Sequence, residues 1–432
     1  MALGHMKTFV SWMVVWLILA IGGANSSSAA TIRYTGVNLF GAEFGESVLP
    51  GTHGQHYIYP NQTEVDYFRS NGMNTIRLPF RWERLQRSAN AALNATELNR
   101  MNTFVSAATA KGMFVILDPH NFARYFPQPQ GDENFQTASV GRIGNTLPYS
   151  AFADFWSRIA NVYKTNDHVI FNLMNEPNSM PTEDWVAAAN AAIAAIRAAG
   201  ATNLILVPGN QWTGAWAWSQ NFYGTPNAVA LLNIVDPANN HAFEVHQYLD
   251  SDSSGGSAGI VSANIGVQRL TGFTQWLRTN NKKGFLGEFA VAASTIGSAP
   301  SQIGDEAVNN LLGHLEANAD VWLGWAWWAA GPWFTEYMFS LEPIGGDRPQ
   351  MAVLRTHVPI PSLMLSLATR TQFRFIAQPG FIYQPESSSS MTAGSWANYG
   401  PSASGNGQTV LVSLPAPTAS RAFYRVRVSR AP

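Results

Sequence analysis

The chain has 432 residues, which suffices for one large domain and a small one or for two domains of ordinary size. Its formal net charge is −1 and it has no run of basic residues, so no nucleic-acid partner is expected. It has no cysteine, which excludes disulfides, thiolate metal sites and cysteine nucleophiles. Its 15 tryptophans are unusually many, and tryptophan supplies flat surfaces for stacking ligands as well as core packing.

Residues 1–30 have the layout of a secretory signal peptide. From Met6 the sequence MKTFVSWMVVWLILAIGGANSSSAA has one lysine, about fifteen apolar residues and then small residues, with a cleavage point after Ala30. The apolar stretch is short for a membrane span, which disfavours the alternative of an anchor. Residues 1–5 precede the pattern as a remnant or an upstream start. We expect a secreted protein, free or associated with the cell surface, with no stable membrane insertion after cleavage.

Eight short apolar runs, rich in β-branched and aromatic residues, recur between residues 31 and 330, and helix-like segments lie between them. The runs begin at Ile32, Met73, Met113, His168, Asn203, His241, Lys283 and Val321. Strands buried on both faces that alternate with helices form parallel βα units, and eight such units predict a closed (β/α)8 TIM barrel. A doubly wound open sheet is the alternative, disfavoured because no glycine-rich phosphate loop follows the first strand.

The clearest helices cover residues 96–112, 150–164 and 181–200, and we expect a threonine cap at the start of the last. After about residue 355 the composition changes to short alternating runs such as FRFIA and TVLVSL, separated by Ser- and Gly-rich stretches. This pattern predicts a small all-β, sandwich-like domain. We assign residues 31–356 to the barrel domain, 357–368 to a linker and 369–432 to a C-terminal β-rich module.

Polar and aromatic residues stand at nearly every predicted strand end. In a (β/α)8 barrel the chemistry lies at the C-terminal ends of the strands, so these residues share one face. Their number exceeds what a structural role requires, and they predict an active site. They are Asn38, Arg77, His120, Asn175, Glu176, His246, Tyr248, Glu288 and the tryptophans within 325–328.

Two carboxylates stand out in this set, Glu176 after the fourth strand and Glu288 after the seventh. A pair of carboxyl groups flanking a sugar bond is what glycoside hydrolysis needs. One carboxyl must be protonated to help the leaving oxygen depart, and the other must be ionised to attack the anomeric carbon. Burial raises one pKa, while hydrogen bonds from arginine or tyrosine lower the other. Many barrels have acids at these two strand ends, so the spacing alone is a weak signal.

The surrounding sequence is much more specific. The motifs FNLMNEP, GFLGEFA and TIRLPF resemble glycoside hydrolase family 5, and GVNLFGAEFG, DPHNFARY, HQYLDSDSSG and WAWWAAGPWF point to its cellulase branch. The resemblance covers residues 32–350 and all eight predicted strands. It implies a retaining endo-β-1,4-glucanase that cleaves internal bonds of cellulose and related β-glucans through a covalent glycosyl-enzyme intermediate. A β-1,4-mannanase or mixed-linkage glucanase of the same family is the alternative, because the catalytic residues do not separate them.

Carried over position by position, the resemblance implies that Glu176 is the general acid/base and Glu288 the nucleophile, which Arg77 and Tyr248 orient by hydrogen bonds. The remaining implied site residues are Asn175 on the sugar 2-hydroxyl, His120 lining the site, His246 beside the acid/base, and Trp327, or alternatively Trp328, beneath the reacting sugar. To substrate binding we assign Trp327, Trp328, Asn38, Trp212 and Trp333.

Aromatic residues in the loops above the barrel suit the flat apolar faces of sugars. A series of them predicts an extended cleft, which favours cutting inside a polymer over a short pocket acting at chain ends. They are Tyr57, Tyr59, Phe122, Tyr125, Trp212, Trp216, Trp218 and Trp333, and Glu43 and Glu336 are weaker candidates for contacting sugar hydroxyls.

We expect no cofactor and no catalytic metal, because the spacing of His53, His56, His241 and Asp118 matches no ligand motif. The expected partner is the polysaccharide substrate, and the expected state is a monomer. A non-catalytic carbohydrate-binding protein is the alternative of another class, disfavoured because both carboxylates and their partners are present. The C-terminal segment resembles the small β-rich modules that end many secreted bacterial proteins. Polysaccharide binding through Trp396 and Tyr399, anchoring and a spacer role all remain open for it.

Overall fold

Eight parallel strands form a closed barrel, as the spacing of the apolar runs predicts. Each strand pairs with its neighbours along the chain, and the last strand pairs with the first. The (β/α)8 fold is therefore confirmed, and the open-sheet alternative is wrong. The strands are β1 (Tyr34–Leu39), β2 (Thr75–Phe80), β3 (Phe114–Pro119), β4 (Val169–Asn172), β5 (Ile205–Pro208), β6 (His241–His246), β7 (Gly284–Glu288) and β8 (Trp322–Ala330).

This computed structural model describes residues 30–126, 141–297, 299, 302–358, 365–369, 372–377, 381–392, 394–406, 408–414 and 422–430. They fall into two compact units, residues 30–359 and the residues from 360 onward. The predicted signal peptide, apart from Ala30, and half of the predicted linker lie outside the described residues. Both assignments stay predictions.

Among the residues described, six long helices follow strands of the barrel: α1 (Gln62–Ser70), α2 (Ala95–Ala110), α3 (Tyr149–Tyr163), α4 (Thr182–Ala198), α5 (Ile265–Thr279) and α6 (Gly304–Ala317). Shorter helices are Trp82–Leu85, Asn227–Ala230 and Gln350–Leu354. The side chain of Asn94 caps α2 by accepting a hydrogen bond from the Glu97 amide. The threonine cap expected for α4 is wrong: Thr182 is the first helical residue, and its hydroxyl donates to the Tyr223 carbonyl instead. Within the described part of the chain, no helix has the length and apolar character to cross a membrane.

The barrel interior changes character along the strands. Residues two apart on a strand face the same side, so each strand contributes inward positions at a period of two. Toward the C-terminal ends these positions become polar, and Arg77, Asp118 and Glu244 are fully buried there. The lower layer is an apolar cluster drawn from seven of the eight strands: Tyr34, Ile116, Ile170, Leu206, Ala242, Phe285 and Ala326.

The described residues of the C-terminal unit form two antiparallel sheets, as predicted. One joins β9 (Ser366–Thr369), β10 (Gln372–Ile376) and β14 (Thr409–Ser413); the other joins β11 (Phe381–Ser388) to β12 (Ala397–Asn398), β13 (Ala403–Ser404) and β15 (Phe423–Arg430). Phe375 and Tyr383, one from each sheet, are buried with ring centroids 5.3 Å apart. The Tyr399 hydroxyl donates to the Ser413 carbonyl, and the Arg425 guanidinium lies 4.3 Å from the Trp396 ring. Neither aromatic is therefore wholly free for a sugar.

Candidate active site

Arg77 connects the strand ends. Its side chain projects inward from β2 and is fully buried. Nη1 donates to Asn38 Oδ1 at 2.8 Å and to Glu288 Oε1 at 3.0 Å, and Nη2 donates to Asn175 Oδ1 at 2.8 Å. One planar guanidinium therefore fixes residues from three other strand ends, which a flexible ammonium does less well. The sequence analysis predicted its contact with Glu288 but not the other two.

Asn38 is not placed to bind substrate, which corrects the sequence analysis. It is fully buried, and its amide nitrogen donates to the carbonyls of Gly287 and Trp327 at 2.9 and 3.1 Å. Its oxygen accepts from Arg77. Both ends of the amide are thus used in joining β1 to β2, β7 and β8.

Two buried carboxylates were not assigned to the site by sequence. Asp118 and Glu244 lie 3.2 and 3.4 Å from Arg77 Nη2. Asp118 contacts His120 Nδ1 at 3.0 Å, and Glu244 contacts His246 Nε2 at 2.8 Å. The signal was present as Asp-Pro-His and Glu-Val-His, since a spacing of two puts the carboxylate and the histidine on the same face of a strand.

His120 lies between Asp118 and Asn175. Burial lowers the pKa of His120 although Asp118 acts to raise it, so the ring is neutral near pH 7. A proton on Nδ1 donates to Asp118, and Nε2 accepts from Asn175 Nδ2 at 3.2 Å. The opposite amide end of Asn175 accepts from Arg77. These contacts fix the orientation of the amide next to Glu176.

Glu288 receives hydrogen bonds on both oxygens, from Arg77 on Oε1 and from the Tyr248 hydroxyl on Oε2 at 2.8 Å. His246 Nδ1 lies 3.4 Å from Oε2. Burial raises the pKa of Glu288 to about 8, although the charges of His246 and Arg77 and the tyrosine hydrogen bond act to lower it. The sequence analysis expected such hydrogen bonds to hold down the pKa of the attacking carboxyl, and burial outweighs them.

Glu176 follows β4 and is the more exposed of the two carboxylates, with 17% of its side chain accessible. Its φ is 46°, a left-handed conformation that costs roughly 1–2 kcal/mol for a residue with a side chain. Its Oε1 lies 2.7 Å from His246 Nδ1. Burial acts to lower the pKa of His246, but the charges of Glu244 and Glu288 raise it to about 10, so an imidazolium joins the carboxylates.

Glu176, His246 and Glu288 each offer one atom in a group whose members all lie within 4.8 Å of one another. A metal ion accepts such a set of oxygen and nitrogen atoms. Both nitrogens of His246 already contact carboxylates, however, and proton-mediated contacts account for the arrangement. The absence of a catalytic metal stays a prediction.

Trp328, not Trp327, lies against these residues. Trp327 points away from the interior, is fully buried, and donates from Nε1 to the Phe339 carbonyl at 2.9 Å. Trp328 is 9% exposed and stacks on His120, with ring centroids 5.6 Å apart and planes at 17°. The assignment of Trp327 to the sugar is therefore wrong, and the alternative position has the required surroundings.

The loop aromatics divide into two groups. Trp212 and Trp333 are 43% and 42% exposed, and Trp216 is also exposed. Trp333 runs parallel to Phe44, with centroids 6.4 Å apart. Phe122 is half-buried beside His120, at 5.3 Å. The other four predicted loop aromatics belong to the core: Tyr57, Tyr59, Tyr125 and Trp218.

These four are buried because each has packing or polar partners below the surface. The Tyr57 hydroxyl donates to Glu97 at 2.6 Å, and that of Tyr125 donates to the Gln86 carbonyl at 2.7 Å. Trp218 packs edge-on against Phe273 at 4.6 Å. Of the two acidic candidates, Glu336 is exposed, whereas Glu43 is buried. Burial raises the pKa of Glu43 to about 8 despite hydrogen bonds from the Gly41 amide.

Comparison with known proteins agrees with this geometry. The sequence model of the family described as Cellulase (glycosyl hydrolase family 5) matches residues 30–331. An endoglucanase of Neurospora crassa is 41% identical over 323 residues, which are 74% of this chain and 75% of that protein. An endo-beta-1,4-glucanase of Emericella nidulans is 41% identical over 322 residues, which are 74% of this chain and 90% of that protein.

Solved structures agree as well. An endo-beta-1,4-glucanase from Xanthomonas axonopodis pv. citri, carrying a triple mutation, aligns with a TM-score of 0.70 at 47% identity and covers 76% of this chain and 99% of that one. XacCel5A in complex with cellopentaose aligns with a TM-score of 0.69 at 46% identity, with the same two coverages. With this family match over most of its length and paired carboxylates at the strand ends of its barrel, the chain belongs to glycosyl hydrolase family 5, the cellulase family.

Proposed function

We propose that the protein is an endo-β-1,4-glucanase that hydrolyses internal bonds of cellulose and related β-glucans with retention of configuration. The observation that carries the proposal is the carboxylate pair, in which an oxygen of Glu176 lies within 4.8 Å of an oxygen of Glu288. Retaining glycosidases have carboxyl groups about 5–5.5 Å apart, whereas inverting enzymes separate them by roughly 6.5–9.5 Å to admit a water molecule. The short separation supports direct attack by one carboxylate.

The reaction proceeds in two displacements. The ionised Glu288 attacks the anomeric carbon while Glu176 donates its proton to the departing glycosidic oxygen, which leaves a glycosyl ester on Glu288. Glu176, now ionised, then takes a proton from a water molecule that attacks the same carbon. The ester bond breaks, Glu288 regains its negative charge, and Glu176 is protonated again.

The hydrogen-bond donors support these two roles. Arg77, Tyr248 and His246 all direct positive charge or an N–H or O–H group at Glu288. Glu176 is contacted by His246 alone among these three, and it is the more exposed carboxyl. These donors stabilise the negative charge that Glu288 must have when it attacks the anomeric carbon.

An extended substrate suits the exposed aromatics. Trp212 and Trp333 each present an accessible ring, on the loops after β5 and β8 respectively. Such rings stack on sugar units on either side of the one glycosidic bond that the carboxylates cleave. A cellopentaose complex is known for the relative XacCel5A. An internal bond of a chain is therefore the favoured target. Mannan and mixed-linkage glucan are the alternative substrates.

Secretion as a monomer completes the proposal, supported by the signal-peptide pattern in residues 1–30. N-terminal sequencing of protein recovered from the culture medium tests it, with a start at Thr31 expected. Analytical ultracentrifugation of the purified protein tests the oligomeric state, and the mass of a single chain is expected. An uncleaved N-terminus in the cell pellet contradicts the secretion.

The activity is tested with Glu176→Gln and Glu288→Gln, which keep shape and remove the charge. Each is expected to lower kcat by roughly 1,000-fold or more while cellohexaose binding by calorimetry is kept. Reducing ends are measured from carboxymethylcellulose, mixed-linkage glucan and mannan, and the first anomer released is identified by NMR. Activity confined to mannan contradicts the substrate, and release of the α-anomer contradicts retention.

A further inference from the structure

The loop after β5 contains a run of strained backbone. Gln211, Trp212 and Thr213 have φ values of 58°, 50° and 49°, so three consecutive residues with side chains are left-handed. A β-branched residue such as threonine rarely adopts this conformation. Such strain persists only where the surroundings hold it, and it concentrates at functional sites. The contacts of the run show what holds it.

Thr213 is fully buried between two strands. Its hydroxyl donates to the Glu244 carbonyl at 2.5 Å and accepts from the Gly209 amide at 2.8 Å. Its own carbonyl accepts from the His246 amide at 3.0 Å. One residue therefore ties the end of β5 to the backbone of both β6 residues that support the acid/base.

Trp212, the residue before Thr213, holds the Glu176 side of the contact between His246 and Glu176. The Trp212 amide donates to the Pro177 carbonyl at 3.1 Å, and Pro177 directly follows Glu176. The left-handed run thus holds the Glu176 loop with one residue and the His246 backbone with the next. Between these two points lies the 2.7 Å contact of His246 Nδ1 with Glu176 Oε1.

We propose that Thr213 is a positioning residue for proton transfer by Glu176. Its hydroxyl holds the Glu244 backbone and its carbonyl holds the His246 amide, at the position along β6 where Nε2 of His246 meets Glu244 and Nδ1 meets Glu176. Thr213 touches no reacting atom and acts only through this pair. The inference deepens the proposed function, since it rests on Glu176 being the acid.

Thr213→Val is the central variant, because valine has the same shape and lacks the hydroxyl. The Gly209 amide and the Glu244 carbonyl then lose a buried partner, and the strained run is free to relax. A shift of about 1 Å in a catalytic pair costs on the order of 100-fold in rate. The effect falls mainly on the acid step, because His246 Nδ1 lies 2.7 Å from Glu176 but 3.4 Å from Glu288, and this makes it separable from general damage.

Two substrates separate the acid step. Cleavage of cellotetraose expels a sugar hydroxyl group that must receive a proton as it departs, whereas 2,4-dinitrophenyl β-cellobioside releases a phenolate that departs without one. We expect Thr213→Val to lower kcat/KM for cellotetraose by roughly 10- to 100-fold and for the dinitrophenyl substrate by less than about threefold. Thr213→Ser, which keeps the hydroxyl, is expected to restore the cellotetraose rate. Thr213→Gly fits the left-handed backbone without strain and lacks the hydroxyl, so it should show the same selectivity as valine.

Thr274→Val is the matched control. Thr274 lies on the outer helix α5, is buried, and its hydroxyl also bridges partners, donating to the Leu270 carbonyl at 3.0 Å and accepting from Trp322 Nε1 at 3.0 Å. This variant should lower the melting temperature and leave the ratio of the two substrates unchanged.

The outcomes distinguish the role of Thr213 from the role of Glu176. Equal loss on both substrates in Thr213→Val and Thr213→Gly, or no loss on either, overturns the positioning role. Glu176→Gln calibrates the assay, since an acid must show strong selectivity against cellotetraose. If Glu176→Gln lacks that selectivity, the proposed acid is wrong; if it has it and the Thr213 variants do not, only the inference about Thr213 falls.

Discussion

At the scale of single residues, Tyr248 has a defined effect on the carboxyl it contacts. Its hydrogen bond acts to lower the pKa of Glu288, which burial raises to about 8. Glu288 must be ionised to attack, so kcat/KM of the parent should fall as pH drops below roughly 8 and this carboxyl gains a proton. In Tyr248→Phe the lowering influence is gone and the pKa of Glu288 rises, so this acidic limb of the profile should move to higher pH. We also expect kcat to fall by roughly 100-fold, because the nucleophile loses an orienting donor.

The control for this profile is Tyr163→Phe. Tyr163 is also buried, and its hydroxyl donates at 2.6 Å to Asn102 on α2, away from the carboxylates. Its pH–rate profile should match that of the parent. A shift of the Tyr248→Phe limb to lower pH contradicts the direction of the effect.

The place of a single residue in the site was predictable where it stands at the C-terminal end of a barrel strand, because these ends meet at one face. Arg77 and Glu288 follow from that rule. Trp327 was misassigned because the motif places two tryptophans side by side, and only the strand's alternation separates them. Gly324 and Ala326 share the parity of Trp328, and small residues at these positions mark the crowded inner face, where a Cβ on Gly324 would lie 2.3 Å from the Tyr34 carbonyl.

At the scale of elements, Arg197 at the end of α4 joins the segment that leads into β6. It donates to both oxygens of Asp236, at 2.7 and 2.9 Å. Burial acts to raise the pKa of Asp236, but hydrogen bonds from Arg197 and from the Asn240 and Ala238 amides lower it to about 2. A depressed folded-state pKa stabilises the protein above the ordinary value near 3.9, and this stability is lost as pH falls through about 2.

Asp236→Asn should therefore lower the free energy of unfolding at pH 7 by about 2 kcal/mol, because the side chain of Asp236 is shielded from solvent and the linkage applies with little screening. The dependence of stability on pH between about 4 and 2 should become shallower. Urea unfolding at several pH values measures both. Asp320→Asn serves as the control, because Asp320 makes the same two-oxygen contact with Arg278 on an exposed surface. An equal loss in both variants argues against a special role for the α4 contact.

The regular elements were predictable, but the irregular connections were not. Strands buried on both faces appear as apolar runs, and all eight were located. The start of α4 was misjudged because Thr182 has a better partner in Tyr223 from a distant loop than its own helix provides. The left-handed run has no turn signature either. Gln-Trp-Thr contains neither glycine nor asparagine, and its conformation is imposed by Pro177, Gly209 and β6.

At the scale of the whole molecule, the barrel unit should work alone. Residues 30–359 form a compact unit, and the Xanthomonas structure aligns over 99% of its own chain while covering 76% of this one. A protein ending at Pro359 should keep kcat/KM for cellotetraose within about twofold. Cosedimentation with insoluble cellulose, compared with the full chain, then measures any binding by the C-terminal module. Insolubility, or a loss beyond about tenfold on the soluble substrate, contradicts independence.

The barrel's topology also sets when activity first exists during synthesis. The carboxylates come from β4 and β7, their shared guanidinium from β2, and the last strand must pair with the first before the ring is complete. A ribosome has to add residue 288 of 432 before the second carboxylate is available, and residue 328 before the tryptophan beside His120 follows. A nascent chain is therefore catalytically silent for about three-quarters of its translation. Prematurely terminated products that lack β7 or β8 have no partial activity to contribute.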